Sequence, residues 1–205
     1  MFLFLSGLLA MLLWGCQRCP DDTPPATALN QGYALLYDLV SQQQDLNKIL
    51  WIKNTSPPVV ELIEAIADVS GEMTRHLDEW QQADPTIRLD STGLPEVDQA
   101  TRKAITSYKT MTLLGDWGET FTRDLLLTQN EALNYGGYLM KVLSEKTPEA
   151  DHAETLRTTG KRYLDLRDQA MAHLTVTTSK ADADSGATDS SEESSSSTLP
   201  LGPKR

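Results

Sequence analysis

The chain has 205 residues and a formal net charge of −11 at neutral pH. This acidic balance argues against nucleic acid as a partner and against adhesion of the protein body to anionic lipid headgroups. Part of the excess belongs to an acidic, Ser-rich tail. The section between residues 29 and 178, about 150 residues long, is sufficient for one hydrophobic core.

The first 16 residues have the pattern of a bacterial lipoprotein signal. From Phe2 to Gly15 the chain is almost entirely apolar and includes no charged residue. This run is too short to span a bilayer of about 30 Å, and its length fits the apolar part of an export signal. Leu13 and the small Gly15 precede Cys16 as in a lipobox. We predict a signal peptide over residues 1–15 and lipidation of Cys16; an ordinary secretory signal or an uncleaved anchor is the alternative.

Cys16 and Cys19 are the two cysteines of the chain, and their spacing formally matches a C-x-x-C redox motif. A redox pair needs a βαβ setting that lowers the pKa of one thiol, and no such setting surrounds them. Gln17 follows Cys16, where Asp would be the usual inner-membrane retention signal. We therefore expect the mature protein to be anchored in the cell envelope, on the periplasmic side of the outer membrane if the bacterium has two membranes.

Two segments flank the middle of the chain. Residues 16–28 include Pro20, Pro24 and Pro25, and we expect this spacer to hold the folded part off the membrane. Residues 179–205 form the Ser-rich tail, and Asp182 to Thr198 include no large apolar side chain. Such a composition cannot offset the entropy lost on ordering, so we predict that the tail is disordered.

The middle section, residues 29–178, has the apolar spacing of α-helices and no alternating strand pattern. A first helix is predicted to end near Asn54. Ser56 as N-cap and Pro57 at the first helical position indicate the start of a second. Apolar residues spaced three or four apart mark the second segment: Val59, Leu62, Ile66, Val69, Met73, Leu77 and Trp80. Apolar residues with less regular gaps mark the other four: Leu29, Leu36, Leu39, Leu46, Ile49 and Trp51; Val97, Ile105, Tyr108 and Leu113; Phe121, Leu125, Leu126, Leu133, Leu139 and Val142; Leu156, Tyr163, Leu166, Ala170 and Leu174. The predicted fold is all-α, most simply a four-helix bundle with a short extra helix between the second and third long ones.

Two adjacent glycines interrupt the fourth apolar segment between Tyr135 and Tyr138. Each glycine inside a helix is less favourable than alanine by about 1 kcal/mol. We predict that Gly136 and Gly137 permit close packing against another helix; the alternative is a ligand held between the two tyrosines.

Leu94-Pro95, before the short helix, and the block from Leu113 to Phe121 resemble a family of exported bacterial proteins with a ferritin-like bundle and no established activity. In that family's Leu-x-x-Leu-x-Gly-x-x-Phe-Asp signature, Gly118 and Phe121 are in register, and Thr122 replaces the Asp. The resemblance covers roughly residues 42–174 and implies a ferritin-like bundle. Of the family's two histidines, His76 lies near the first, and Leu133 occupies the position of the second.

No catalytic motif is evident, so we predict no catalytic site, no metal and no cofactor. Glu72 and His76, spaced i and i+4, are a weak alternative metal or polar site, with a boundary histidine as the simpler interpretation. Glu149 and His152 form a single Glu-x-x-His, whereas a ferritin-like di-metal centre needs two; Glu149 more simply serves a helix dipole. We predict an envelope lipoprotein with a binding or structural role and an unidentified envelope protein partner. The alternative is a metal-dependent oxidoreductase or metal-storage protein.

Overall fold

The computed structural model describes residues 28–90 and 94–187, with side chains described as far as residue 175. Within these ranges the chain is all-α and has no strand, as predicted. The helices are α1 (Ala28–Gln43), a 3₁₀ helix (Leu46–Trp51), α2 (Pro57–Ala83), α3 (Glu96–Gly115), α4 (Gly118–Lys146) and α5 (Ala150–Ala187). The predicted signal peptide, Cys16, the spacer as far as residue 27, and residues 188–205 of the tail lie outside the described residues.

Four helices pack in a ring around one core. α1 contacts α2 and α4, and α5 contacts α2 and α4, so that α1 and α5 lie diagonally opposite each other. The core consists mainly of the apolar side chains that were predicted from their spacing. Its largest fully buried members are Tyr33, Leu36, Ile63, Ile66, Met73, Leu77, Phe121, Leu125, Leu126, Leu133 and Tyr163. The described helices thus form a helical bundle.

The prediction of a continuous first helix as far as Asn54 is wrong. α1 ends at Gln43, and the 3₁₀ helix follows after a two-residue turn. The tighter 3₁₀ turn packs Leu46 and Ile49 against the core. It leaves Trp51, the last apolar residue of the predicted helix, 83% exposed.

The start of α2 is where the sequence predicts it. Ser56 has the extended backbone of an N-cap, and prolines occupy the first helical positions. The Ser56 hydroxyl group makes no capping hydrogen bond. The start of α2 therefore depends on the prolines, whose fixed φ suits the first helical positions.

The predicted close packing of Gly136 and Gly137 is confirmed. A Cβ atom at Gly137 would lie 3.1 Å from the carbonyl oxygen of Gly160 on α5, and one at Gly136 would lie 2.9 Å from the ring of Tyr163. α4 and α5 therefore cross at glycines that let their backbones approach. Val142, predicted as a core residue of the same helix, is exposed instead.

α3 departs most from the prediction. It is a helix of 20 residues and not a short one. Val97, Ile105 and Tyr108, which mark this segment in the sequence, are all exposed; Leu113 alone of that set is buried. The physical reason is that α3 lies outside the ring, against α4 and α1, so its apolar stripe has no core to face.

α5 continues to Ala187, beyond the predicted end of the bundle at residue 178. In the ranges that the structure describes, no helix is long and apolar enough to span a bilayer.

Candidate binding cleft beside the third helix

The surface that α3 turns towards the bundle is more polar than the one it turns towards solvent. Arg102, Thr106 and Lys109 lie on this inner side, one helical turn or two apart, and Leu113 follows them into the core. Because these side chains cannot pack as closely as apolar ones would, α3 stands off from its neighbours. A cleft separates it from α1 and α4.

The cleft has a volume of about 510 Å³, within the range of roughly 300–1,000 Å³ that small-molecule sites have. Its apolar wall is formed by Leu39, Leu46, Ile105, Leu113 and Ala132, together with the half-exposed ring of Tyr135. The remaining lining residues are polar or charged and come from all three helices. An elongated molecule with an apolar body and a polar end fits such a lining.

Two glutamines at the cleft have buried acceptor atoms without a hydrogen-bond partner. Gln129 is 1% exposed and Gln43 is 9% exposed, and both line the cleft. The side-chain oxygen Oε1 of each is buried and accepts no hydrogen bond. Burying a polar group without a partner is unfavourable by about 1–3 kcal/mol, so these two atoms need an explanation beyond packing.

Both glutamines have a signal in the sequence, although neither was predicted as a site residue. Gln129 lies four residues after Leu125 and four before Leu133, and Gln43 lies three after Val40. Each therefore occupies a position in an apolar stripe where the helical period calls for a core residue. A polar residue at such a position is itself a sign of a site.

Arg102, Lys109 and Glu131 at the rim of the cleft form ion pairs, and Asp38 accepts a hydrogen bond of 3.0 Å from Gln42. Arg102 hydrogen-bonds Asp98 at 2.8 Å, and its guanidinium lies 5.7 Å from the ring centroid of Tyr135. Although burial works against its charge, the hydrogen bonds to Asp98 and Tyr135 raise the pKa of Arg102 above its ordinary value. Lys109 forms an ion pair with Glu131 on α4. The rim is thus close to neutral, and the unmet hydrogen-bonding capacity lies deeper, at the glutamines.

Lys53 fixes the end of α3 that closes the cleft. It is 2% exposed, and its ammonium group donates hydrogen bonds of 2.7 Å to the carbonyl oxygens of Leu114 and Asp116. A cation suits the carbonyls at the end of a helix, and the same Nζ lies 3.6 Å from the centroid of the Trp117 ring. The sequence gives no signal for this role, since Lys53 is a single lysine in a loop.

The turn that Lys53 holds also explains the glycine-containing block between α3 and α4. Gly118 has φ of +61°, a conformation that favours glycine. Phe121 follows it into the centre of the core and is fully buried. The two residues in register with the family signature therefore have structural roles in this chain.

Glu72 and His76 do not pair with each other. Glu72 forms an ion pair with Arg162 on α5, whereas Nδ1 of His76 lies 3.6 Å from a carboxylate oxygen of Glu79. His76 is partly exposed at the edge of the bundle, in agreement with its interpretation as a boundary histidine.

His152 and His76 both contact the ring of Trp80. Its ring stacks on Trp80 with centroids 4.0 Å apart, and His76 lies 6.3 Å from the same indole. Glu149 is 3.9 Å from Nδ1 of His152 at the start of α5. Among the residues that the structure describes, no three His, Cys, Asp or Glu side chains form a group that could hold a metal ion.

Comparisons of the chain with protein-family models, with curated proteins and with solved structures give no match. The resemblance to the exported ferritin-like family stays a prediction.

Proposed function

We propose that this chain is a lipid-anchored protein of the bacterial cell envelope, with a ferritin-like bundle that binds a small molecule and has no catalytic role. The anchor is Cys16, behind the uncharged apolar run of residues 2–15. Support for the ferritin-like arrangement comes from two helix pairs, α1 with α2 and α4 with α5, joined by one long crossover that includes α3.

The observation that carries the binding role is the pair of buried oxygens of Gln43 and Gln129. Both oxygens are sealed from solvent in the ligand-free structure, so a ligand in the cleft would satisfy them once the two side chains turn towards it, provided that it presents hydrogen-bond donors. Its apolar part would cover Leu39, Ile105 and the ring of Tyr135. The proposed ligand class is therefore a small amphipathic molecule with a donor-bearing head, such as an ammonium or amide group. A carboxylate head would place acceptors against acceptors.

A matched pair of compounds tests this chemistry. Phenethylamine and 3-phenylpropionate have similar apolar bodies but opposite heads, one a donor and one an acceptor. With the full chain in phosphatidylcholine vesicles, we expect phenethylamine to raise the thermal midpoint and 3-phenylpropionate to leave it unchanged. A ligand present at about 100 times its Kd adds about 2.7 kcal/mol to the free energy of unfolding.

The variant Gln129→Met separates the cleft from other binding modes. It keeps the length of the side chain and removes the unpartnered oxygen, so the ligand-free protein should become more stable by about 1 kcal/mol, or about 2–4 °C in midpoint. The same variant should lose the response to phenethylamine. An unchanged response in Gln129→Met, or equal shifts with the two compounds, would contradict the proposal.

A further inference from the structure

The outer face of α3, formed by Val97, Tyr108 and Met111, is apolar and has no partner in the described part of the chain. These side chains are 78%, 72% and 73% exposed. They lie in one stripe because 11 residues make about three helical turns and three make about one. Thr101 and Ala104 lie between them on the same face, Gly115 follows Met111, and none of the three is charged.

α3 therefore has its polarity reversed relative to a surface helix of a globular protein. In such a helix the apolar stripe faces the core and the charged residues face water. Here the charged Arg102 and Lys109 face the bundle, and the apolar stripe faces outward. Exposed apolar surface of this kind marks a site of interaction with a protein or a membrane.

We propose that the outer face of α3 lies in the interfacial region of a zwitterionic bilayer. An amphipathic helix binds there with its apolar side towards the acyl chains, and tyrosine suits the headgroup level. The exposed Trp117, two residues beyond the end of α3, adds a second aromatic ring of the kind enriched at this depth.

The outer face of α3 has no charged side chain in its stripe, which suits a zwitterionic surface. The whole chain has a net charge of −11, but Arg102 and Lys109 of α3 face the cleft and are paired with Asp98 and Glu131. The outer face would therefore present no like charge to the phosphates of the headgroups.

The length of the chain before α1 brings this face within reach of the membrane. This step depends on the proposed anchor at Cys16, and it replaces the expectation that the spacer holds the folded part off the membrane. Residues 17–27 separate Cys16 from α1 and span at most about 40 Å when fully extended. Asn30, near the start of α1, accepts from the backbone of Arg88 and donates to the carbonyl of Thr86. The tether consequently joins the bundle beside the loop that leads into α3, a helix about 30 Å long.

Tryptophan quenching in vesicles tests the contact directly. The mature lipidated chain that begins at Cys16, and therefore lacks Trp14, with Trp51→Phe, is reconstituted into phosphatidylcholine vesicles whose acyl chains do or do not have bromine substituents. Bromine quenches an indole that lies among or near the acyl chains, and Trp80 is buried in the bundle. We expect brominated lipid to quench the emission, and Trp117→Phe to remove at least about half of the quenched signal, because an interfacial helix places its apolar side at the acyl boundary.

The double variant Tyr108→Glu with Met111→Glu should float with the vesicles as the parent protein does and lose the quenching of Trp117. Met171→Glu is the matched control, since Met171 is also an exposed methionine but lies on α5. It should be quenched as strongly as the parent. Unchanged thermal midpoints, expected for exposed substitutions, show that the variants are folded.

A parent protein that floats without quenching overturns the proposal and leaves the anchor standing, whereas a protein that fails to float overturns both. Equal quenching in the double variant and the parent also overturns it. If the parent protein sediments as a dimer, the double variant sediments as a monomer and brominated lipid quenches neither, the face binds a second copy of the chain instead.

Discussion

Tyr163 shows how one residue links stability to pH. Its ring is fully buried among α2, α4 and α5, and its hydroxyl group lies 2.6 Å from that of Ser70. Burial raises the pKa of Tyr163 to about 12, against the lowering effect of the Ser70 hydrogen bond. In the unfolded chain the same phenol has a pKa of about 10. Between these values the unfolded state releases a proton that the native state keeps.

We therefore expect the stability contributed by Tyr163 to be complete below about pH 10 and to be lost as pH rises towards 12. Two pH units correspond to on the order of 2–3 kcal/mol. Tyr163→Phe should be less stable than the wild type by about 1 kcal/mol at pH 7, where it lacks the hydrogen bond. The difference should shrink or reverse at pH 12. Urea unfolding at pH 7, 10 and 12 measures it.

Ser70→Ala is the control for this prediction. It removes the hydroxyl partner but keeps the buried phenol, so its stability should still fall in alkali. Part of the alkaline loss should also persist in Tyr163→Phe, because burial raises the pKa of Tyr33 as well. A gap between wild type and Tyr163→Phe that does not change from pH 7 to pH 12 would count against the assignment.

At the scale of the helices, two glycines distinguish packing from helix propensity. A Cβ atom at Gly71 on α2 would meet its nearest neighbour at 3.9 Å, an ordinary contact. At Gly137 on α4 it would lie 2.7 Å from the Leu164 side chain and 3.1 Å from the Gly160 carbonyl oxygen. The second of these neighbours is backbone and cannot move aside alone.

Gly71→Ala should stabilise the protein by up to about 1 kcal/mol, since alanine is the better helix former. Gly137→Ala should destabilise it by about 1–3 kcal/mol, because overpacking between α4 and α5 exceeds the gain in propensity. Thermal unfolding of the two variants beside the wild type gives the comparison. If both alanines stabilise, the glycine crossing is not a close contact.

The sequence predicts a helix well where regular apolar spacing and a start signal occur together and the apolar stripe faces the core. α2 satisfies all three from Pro57 onwards, and α5 buries its predicted stripe from Leu156 to Ala170. The pattern of α3 indicates correctly that it is amphipathic. It cannot indicate which way the apolar face points, because that depends on whether another helix supplies a core.

The candidate site was harder to predict for a related reason. Histidine and acidic residues are the usual candidates for a site in a sequence. Here His76 and Glu72 do not form one, because each has a separate partner at the surface. The cleft depends instead on Gln43 and Gln129, whose importance lies in being buried without partners. Burial of a single polar atom is a property of packing between helices that are far apart in the chain.

At the scale of the whole molecule, charge and tether act in opposite directions. The net charge of −11 opposes approach to anionic lipid, so α3 alone would give weak attachment to a membrane. An acyl chain contributes about 0.8 kcal/mol per buried methylene, and stable anchoring takes more than one such contact. The proposed lipid on Cys16 and the outer face of α3 would together supply them.

Cys16→Ser should abolish metabolic labelling with palmitate and release most of the protein from the membrane fraction, because serine offers no thiol for acyl transfer. Cys19→Ser is the matched control: it removes the second cysteine, three residues further on, and should leave labelling and fractionation unchanged. Labelling that persists in Cys16→Ser, or that disappears in Cys19→Ser, would refute the anchor at Cys16. We expect any membrane association that the unlabelled Cys16→Ser protein keeps to come from α3 alone. If adding Tyr108→Glu and Met111→Glu removes that residual association, the difference measures the contribution of α3 by itself.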